Sequence, residues 1–334
     1  MTRTRTARLT GDRLDAAAAF LWTSGRVIEQ RRFAHLFGGE SDSAGDPVGS
    51  PAGNPVGSSA GDPGGVLAAL EAHRTADGGY AYGLEPDVRG PAAQPIAVPG
   101  ALLVLEEAGA LDQARARAVC DWLAGVAAPD GGVPVVLPSL RRYPHPPFVP
   151  VPEEGRPPVG ALLSTGQIVA PLLRRGIVHP WLTAATAFCR TAVENLRETH
   201  PYEAGAAIRF LDAAPDTVWA GREAARLGAL VREQRIVLLD PARPEDARIS
   251  PGYAPGEHHL PHDYARRPDS LARRWFSTAE LARGLDHLAA EQQSDGGWPI
   301  HWARWSASTE SEARPGVTLQ ALLTLRAYDA PGGA

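Results

Sequence analysis

The sequence predicts an all-α protein, a ring of five to six helical hairpins. Three observations predict it. A turn recurs as Asp77-Gly78-Gly79-Tyr80, Asp130-Gly131-Gly132-Val133 and Asp295-Gly296-Gly297-Trp298. The first two copies lie about 53 residues apart and the third about 218 beyond the first, close to four such steps. A period of this size marks stacked supersecondary units. Next, short and long connections alternate between helical segments, as in antiparallel hairpins whose every second connection shares one end. Last, no strand pattern competes, apart from the short Ile236-Val237-Leu238-Leu239.

The elements follow in order. Residues 12–36 read as one helix, with Leu14, Ala18, Leu21, Trp22 and Ile28 near helical spacing. Residues 40–64 carry an octapeptide repeat, Ala44-Gly-Asp-Pro-Val-Gly-Ser-Pro51 and Ala52-Gly-Asn-Pro-Val-Gly-Ser-Ser59, too rich in Gly, Pro and Ser to pack a core, and read as a flexible insertion. Helices are then expected over residues 66–74, 95–108, 112–126, 160–175, 180–198, 202–213, 215–235, 278–293 and 315–328. The connections 75–94, 127–159, 236–270 and 294–314 are long and the others short, so the long loops should converge on one mouth, where function concentrates. Apolar segments such as Ile96–Val104 and Val317–Leu325, which follow Asp-Gly-Gly loops, should form the inner layer. Gln113–Trp122 carries a charged face and should lie outside. This is an α/α toroid, read as a single domain over residues 1–334.

Composition narrows the chemistry. The chain has 334 residues, 44% of them apolar, enough for a sizeable core. Its net charge of −5 argues against nucleic-acid binding, which needs clustered basic excess. No apolar run approaches a membrane span, and the basic start is not followed by a signal-peptide core; a cytoplasmic protein is expected. The 33 basic side chains are all Arg, so chemistry that requires a lysine is excluded. The two cysteines, Cys120 and Cys189, sit in apolar helical contexts and cannot form a CxxC zinc site.

Candidate residues cluster in the long loops. Glu85 and Asp87, with Arg89 nearby, could form an acid whose pKa is raised by burial and by its neighbour. Alternatively Asp87 caps a turn and Glu85 pairs with Arg89. Tyr143-Pro144-His145-Pro146-Pro147-Phe148 is a proline-stiffened aromatic loop that could line the cavity, with His145 as acid or base, or form a rigid edge. His258, His259, His262 and Asp263 could in principle hold a metal, but Pro261 denies them a helical face, and no metal site is assigned; Asp263 is kept as a mouth residue. Trp298, His301, Trp302, Trp305 and Glu310 share the last long loop. The tryptophans could stabilise a cation or stack on a ligand, with Trp298 favoured as packing. Glu310 is a second acid candidate or a helix cap, and Tyr80 and Tyr82 are further lining candidates. The repeat aspartates read as turn residues.

Gln292-Gln293-Ser294-Asp295-Gly296-Gly297-Trp298 fits the Gln-x3-Gly-x-Trp motif of squalene cyclases, and the other two loops look like degenerate copies. With Gly83-Leu84-Glu85-Pro86-Asp87 and Tyr143-Pro144-His145, the chain resembles the terpenoid cyclase/protein prenyltransferase α/α-toroid superfamily, within it single-toroid bacterial proteins of unassigned reaction. It departs from that pattern in having no Asp-x-Asp-Asp motif, no Asp, Cys and His zinc set, and length for one toroid. The resemblance implies a proton-initiated isoprenoid cyclase or isomerase. Glu85, Asp87 or Glu310 would be the acid, Tyr80, Tyr82, Tyr143, Trp302 and Trp305 would shape the cavity, and the substrate would be small and hydrophobic, with no cofactor or metal. The alternatives are a carbohydrate-active hydrolase or lyase using the same carboxylates, and a noncatalytic isoprenoid binder.

Overall fold

The computed structural model describes residues 7–38, 61 and 63–331; the octapeptide insertion falls almost wholly outside them. Among the described residues, six outer helices alternate with six inner ones. The outer helices are α1 (Gly11–Ser24), α3 (Gly64–Glu71), α5 (Gln113–Val126), α7 (Pro180–Asn195), α9 (Thr217–Glu233) and α11 (Thr278–Ala290). The inner helices are α2 (Val27–Phe37), α4 (Val98–Glu107), α6 (Leu162–Arg174), α8 (Pro201–Ala213), the short α10 (Pro261–Tyr264) and α12 (Thr309–Asp329). Inner neighbours pack in sequence from α2 through α4, α6, α8 and α10, and α12 returns to α1 and α2, closing the ring. Ile236–Leu239, the one strand candidate, runs as irregular chain.

Local chemistry sets the helix starts. Asp112 and Asp216 accept N–H bonds from Arg115 and Trp219, and Ser277 with Glu280 forms a reciprocal capping box. His179 and His200 cap α7 and α8 through their ring nitrogens. The single helix expected over residues 12–36 is instead the hairpin α1–α2. Gly25 and Arg26 are both extended, and Gly25 returns its N–H to Leu21, ending α1. The consequence is chemical, because the break turns Arg26 and Glu29 from an outer surface toward the mouth loop.

The three Asp-Gly-Gly turns are built alike. Each Asp accepts the N–H of its second Gly, at 3.3 Å for Asp77, 3.0 Å for Asp130 and 3.0 Å for Asp295. The first Gly has φ of +94°, +90° and +90° in turn. Each turn abuts the next outer helix round the ring. A Cβ on Gly78 would lie 3.0 Å from the Ala118 carbonyl oxygen of α5, one on Gly131 2.6 Å from the Ala184 backbone of α7, and one on Gly296 1.9 Å from the Ala16 carbonyl oxygen of α1. Glycine is therefore required twice over, by conformation and by proximity.

Elsewhere the ring is clamped by ion pairs and hydrogen bonds. Arg32 of α2 forms two bonds to Glu107 of α4, at 2.8 and 2.9 Å, in a buried pair. Arg326 donates to the Leu36 carbonyl at 2.6 Å and stacks over Phe37, tying α12 to α2. Arg8 pairs with Asp286 of α11.

Among the described residues, the long connections α3–α4, α5–α6, α9–α10 and α11–α12 each run from an outer to an inner helix, so they lie at one end of the ring. Beneath them, the inner helices carry partly exposed residues at three- and four-residue spacing. These include Pro99, Leu103 and Glu106 on α4; Leu163 and Gln167 on α6; Tyr202, Gly205 and Arg209 on α8; and Glu312, Gly316, Gln320 and Leu323 on α12. Partly exposed stripes on the inner helices line a central concavity.

Candidate functional site

The acid candidates sit on the connection between α3 and α4. Glu85 is partly buried, and burial raises its carboxyl to about 7; the negative charge of Asp87 pushes the same way. The Asp87 N–H and the charge of Arg26 oppose the rise without cancelling it. Arg26 is already engaged. It grips Glu29 at 2.6 and 3.0 Å and holds the mouth loop through the Gly83 carbonyl at 2.5 Å. Its charge is shared before Glu85 can use it.

Asp87 accepts the Trp305 indole N–H at 2.6 Å, a bond from the first long loop to the last. Burial raises its pKa, against the Trp305 bond and the charge of Arg89; Glu312 adds to the rise. Arg89 pairs with Glu312 at 2.5 Å and donates to Ser308 at 3.0 Å, so it ties the loop to the start of α12 rather than to Glu85. The charge of Asp87 also adds, weakly, to the raised pKa of Tyr202 on α8.

The opposite wall is an aromatic and histidine cluster. Tyr202 donates to Glu257 at 3.0 Å, and Tyr253 and His259 share a 2.7 Å bond. The rings of His200, Tyr202, Tyr253 and His259 pack with centroids 5.0 to 5.9 Å apart. Burial lowers His259 to about 4, which leaves the imidazole neutral at pH 7. Asp263 caps the Leu260 N–H at 2.8 Å. Burial opposes its ionisation, but His262, His259, that N–H and Arg266 together hold it below the usual carboxylate range. His262 is buried with its Nδ1 unpartnered, and among the described residues no three His, Cys, Asp or Glu side chains converge as metal ligands.

The remaining candidates scatter. Tyr80 is buried between α3 and α5, in the outer layer and away from the mouth. Tyr82 is 52% exposed at a positive φ of 54°. Tyr143 covers Gly90, His145 turns its Nδ1 to the Tyr143 carbonyl at 2.7 Å, and Phe148 is exposed. Trp298 is fully buried, with its indole N–H on the Leu288 carbonyl at 2.7 Å, so it packs and does not reach the cavity. Glu310 pairs with Arg304 at 2.9 Å. His301 pairs with Glu291 at 2.9 Å, which raises its pKa. The Trp302 indole nitrogen is buried without a partner. Cys120 and Cys189 are buried, and burial raises the Cys120 thiol to about 12.

The structure thus brings Glu85, Asp87, Arg89 and Trp305 together and adds residues the sequence reading passed over, Arg26, Glu29, Tyr202, Tyr253 and Glu312, while His259, considered there only as a metal ligand, joins the aromatic cluster. Arg26 was hidden by the misjudged helix break, which Thr23-Ser24-Gly25 could have signalled.

No family model matches the chain, and no curated protein does. Solved structures do match. A protein from Actinoplanes shares 17% identity over 95% of this chain and 89% of its own, with a TM-score of 0.51. A variant of the type II terpene cyclase MstE from Scytonema, in complex with geranylgeranyl dihydroxybenzoate, shares 12% identity over 95% of this chain and 97% of its own, with a TM-score of 0.53. Another MstE variant, in complex with merosterolic acid A, matches at 14% identity over 95% and 96%, with a TM-score of 0.52. At these identities the likeness establishes a shared terpene-cyclase-like fold.

Proposed function

We propose that the protein is a proton-initiated isoprenoid cyclase or isomerase working in the cavity of its single ring. The observation that carries this is Glu85: a carboxyl raised to about 7 in the mouth of the ring, with Asp87 beside it and the nearest guanidinium committed to Glu29. Such a group keeps its proton on about half of the molecules at pH 7, against well under one per cent for an ordinary glutamate, and can act as a general acid.

Glu85 would donate its proton to one carbon of a substrate double bond, leaving a carbocation on the other. Internal attack by a second double bond would close a ring, and loss of a proton to a base would restore neutrality. The Asp87 N–H, which favours the ionised form of Glu85, would steady the carboxylate left behind. Asp87, fixed by Trp305, would hold the pKa of Glu85 high. Tyr202, Tyr253 and Trp305 offer π faces to a developing cation. That MstE, of like fold, binds geranylgeranyl dihydroxybenzoate is consistent with a prenyl chain as ligand. The carbohydrate-active alternative expects two carboxyls opposed across a groove, whereas Glu85 and Asp87 come from one tripeptide.

The test is incubation with geranyl, farnesyl and geranylgeranyl diphosphates and with geranylgeranyl dihydroxybenzoate, followed by product analysis. Cyclic or isomerised product from wild type and none from Glu85→Gln is expected. Equal product from both proteins overturns the assignment of the acid. No product from any prenyl substrate overturns the reaction.

A further inference from the structure

The outer layer of the ring is not evenly closed. α5 packs on α7, but between α3 and α5 a cleft of about 400 Å³ remains. Its walls are apolar: Leu67 and Leu70 come from α3, Ala118 and Val119 from α5, and Leu105 of α4 lies behind them. The first Asp-Gly-Gly turn abuts it. Gly78 meets the Ala118 carbonyl there, and the Trp122 indole N–H donates to Asp77 at 3.2 Å.

Tyr80 follows that turn directly and forms part of the cleft wall. Its backbone is fixed, because it bridges Arg74 in antiparallel fashion and its carbonyl accepts the Gln94 N–H at 3.0 Å. Tyr80 is 5% exposed, yet among the described residues its hydroxyl has no hydrogen-bond partner. Buried tyrosine hydroxyls are normally paired. Tyr264 and Tyr328 are as deeply buried and follow that rule, donating to the carbonyls of Ile236 at 2.8 Å and Ala265 at 2.7 Å. The residues at the same place in the other two turns leave no side-chain polar group unpaired either. Val133 is apolar, and the Trp298 indole N–H donates to the Leu288 carbonyl at 2.7 Å. A phenylalanine would pack the wall as well as Tyr80 does, so packing does not account for the hydroxyl.

The rim carries two ion pairs. Glu71 meets Arg74 at 3.2 Å beside α3, and Asp112 meets Arg115 at 2.9 Å at the start of α5. Each pair closes within three residues, so neither spans the cleft, and together they cancel in charge. A charged ligand therefore gains little from the rim, while its own desolvation against apolar walls is costly. Burial raises the Tyr80 pKa, so the hydroxyl keeps its proton and stays a donor at neutral pH.

We propose that the cleft between α3 and α5 is a second ligand site, separate from the mouth, for an uncharged apolar molecule that carries a carbonyl oxygen, with the Tyr80 hydroxyl as the donor to that oxygen. The proposal does not depend on Glu85 being a catalytic acid.

The experiment is a saturation-transfer NMR titration of the full-length protein with 2-acetylnaphthalene, 2-isopropylnaphthalene and 2-naphthoate. These probes share a shape and differ as ketone, hydrocarbon and anion. Wild type is expected to bind the ketone about three- to ten-fold tighter than the hydrocarbon, the weight of one neutral hydrogen bond, and tighter than the anion. Tyr80→Phe is expected to bring the ketone down to the affinity of the hydrocarbon and to leave the hydrocarbon unchanged. Ala114→Phe, which puts a ring into the cleft from an exposed position on α5, is expected to remove ketone binding. Circular dichroism checks that both variants fold. Wild type that fails to bind the ketone, or binds ketone and hydrocarbon equally, or binds the anion tightest, overturns the proposal. Ketone binding that survives in folded Ala114→Phe also overturns it, because the probe then sits elsewhere in the ring.

Discussion

Asp295 and Glu85 occupy corresponding long connections of the ring and meet opposite fates. The Asp295 carboxylate is gripped by two bonds from Arg314 at 2.8 Å and by the Gly297 N–H at 3.0 Å, and the Arg314 bonds chiefly hold it below its ordinary range. Glu85 is buried beside a like charge and rises to about 7. The residue class is the same, and so is the loop type. What differs is whether cations and N–H donors arrive in excess of the burial. An acid with surplus partners is held ionised as a structural pin; an acid with a deficit keeps its proton to higher pH.

The largest expected effect comes from removing the deficit acid. Glu85→Gln should lower turnover by about 10²–10⁴-fold, the usual weight of a general acid, with melting temperature and circular dichroism showing an intact fold. Next comes the pin. Gly296→Ala forces a Cβ to 1.9 Å from the Ala16 carbonyl and should cost on the order of 3 kcal/mol or more, read as a lowered midpoint in urea. Gly78→Ala, where the nearest atom is at 3.0 Å, should cost less, and reversal of this order would break the account of the turns.

The pH dependence sharpens the comparison. Between the ordinary carboxylate value of 4.5 and about 7, folded Glu85 holds a proton that the unfolded chain has lost. Stability from this group is full below 4.5 and is lost as pH rises through about 7, a swing of roughly 1–3 kcal/mol. Glu85→Gln should remove that slope, so its melting temperature should exceed that of wild type at pH 8. Turnover should likewise fall above about pH 7 as the acid ionises. The smallest effect tests the indirect link. Trp305→Phe deletes the N–H that favours the ionised form of Asp87, so Asp87 carries less negative charge and Glu85 is pushed up less. The basic limb of the pH–rate profile should move to lower pH by a fraction of a unit. A limb that stays in place would remove Asp87 from the control of Glu85.

Much of this protein was legible along the chain. Helical periodicity and the Asp-Gly-Gly spacing are local properties, and they indicated the helices after the first hairpin, apart from the short α10, and their alternation of short and long connections. The Asx turns were legible for the same reason, since their bonds close within two residues. The acid pair was also visible, because Glu85 and Asp87 adjoin a repeat loop. The tertiary structure decided the rest. Asp87 meets Trp305 across 218 residues, and Arg89 meets Glu312 across 223. Tyr80 looks like a cavity aromatic in sequence, yet the fold buries it between outer helices, whereas Trp298, favoured as packing from its place in the repeat, is sealed under α12. Burial and charge balance depend on what six hairpins bring together in space. A sequence states which groups exist; only closure of the ring determines which of them lack a partner.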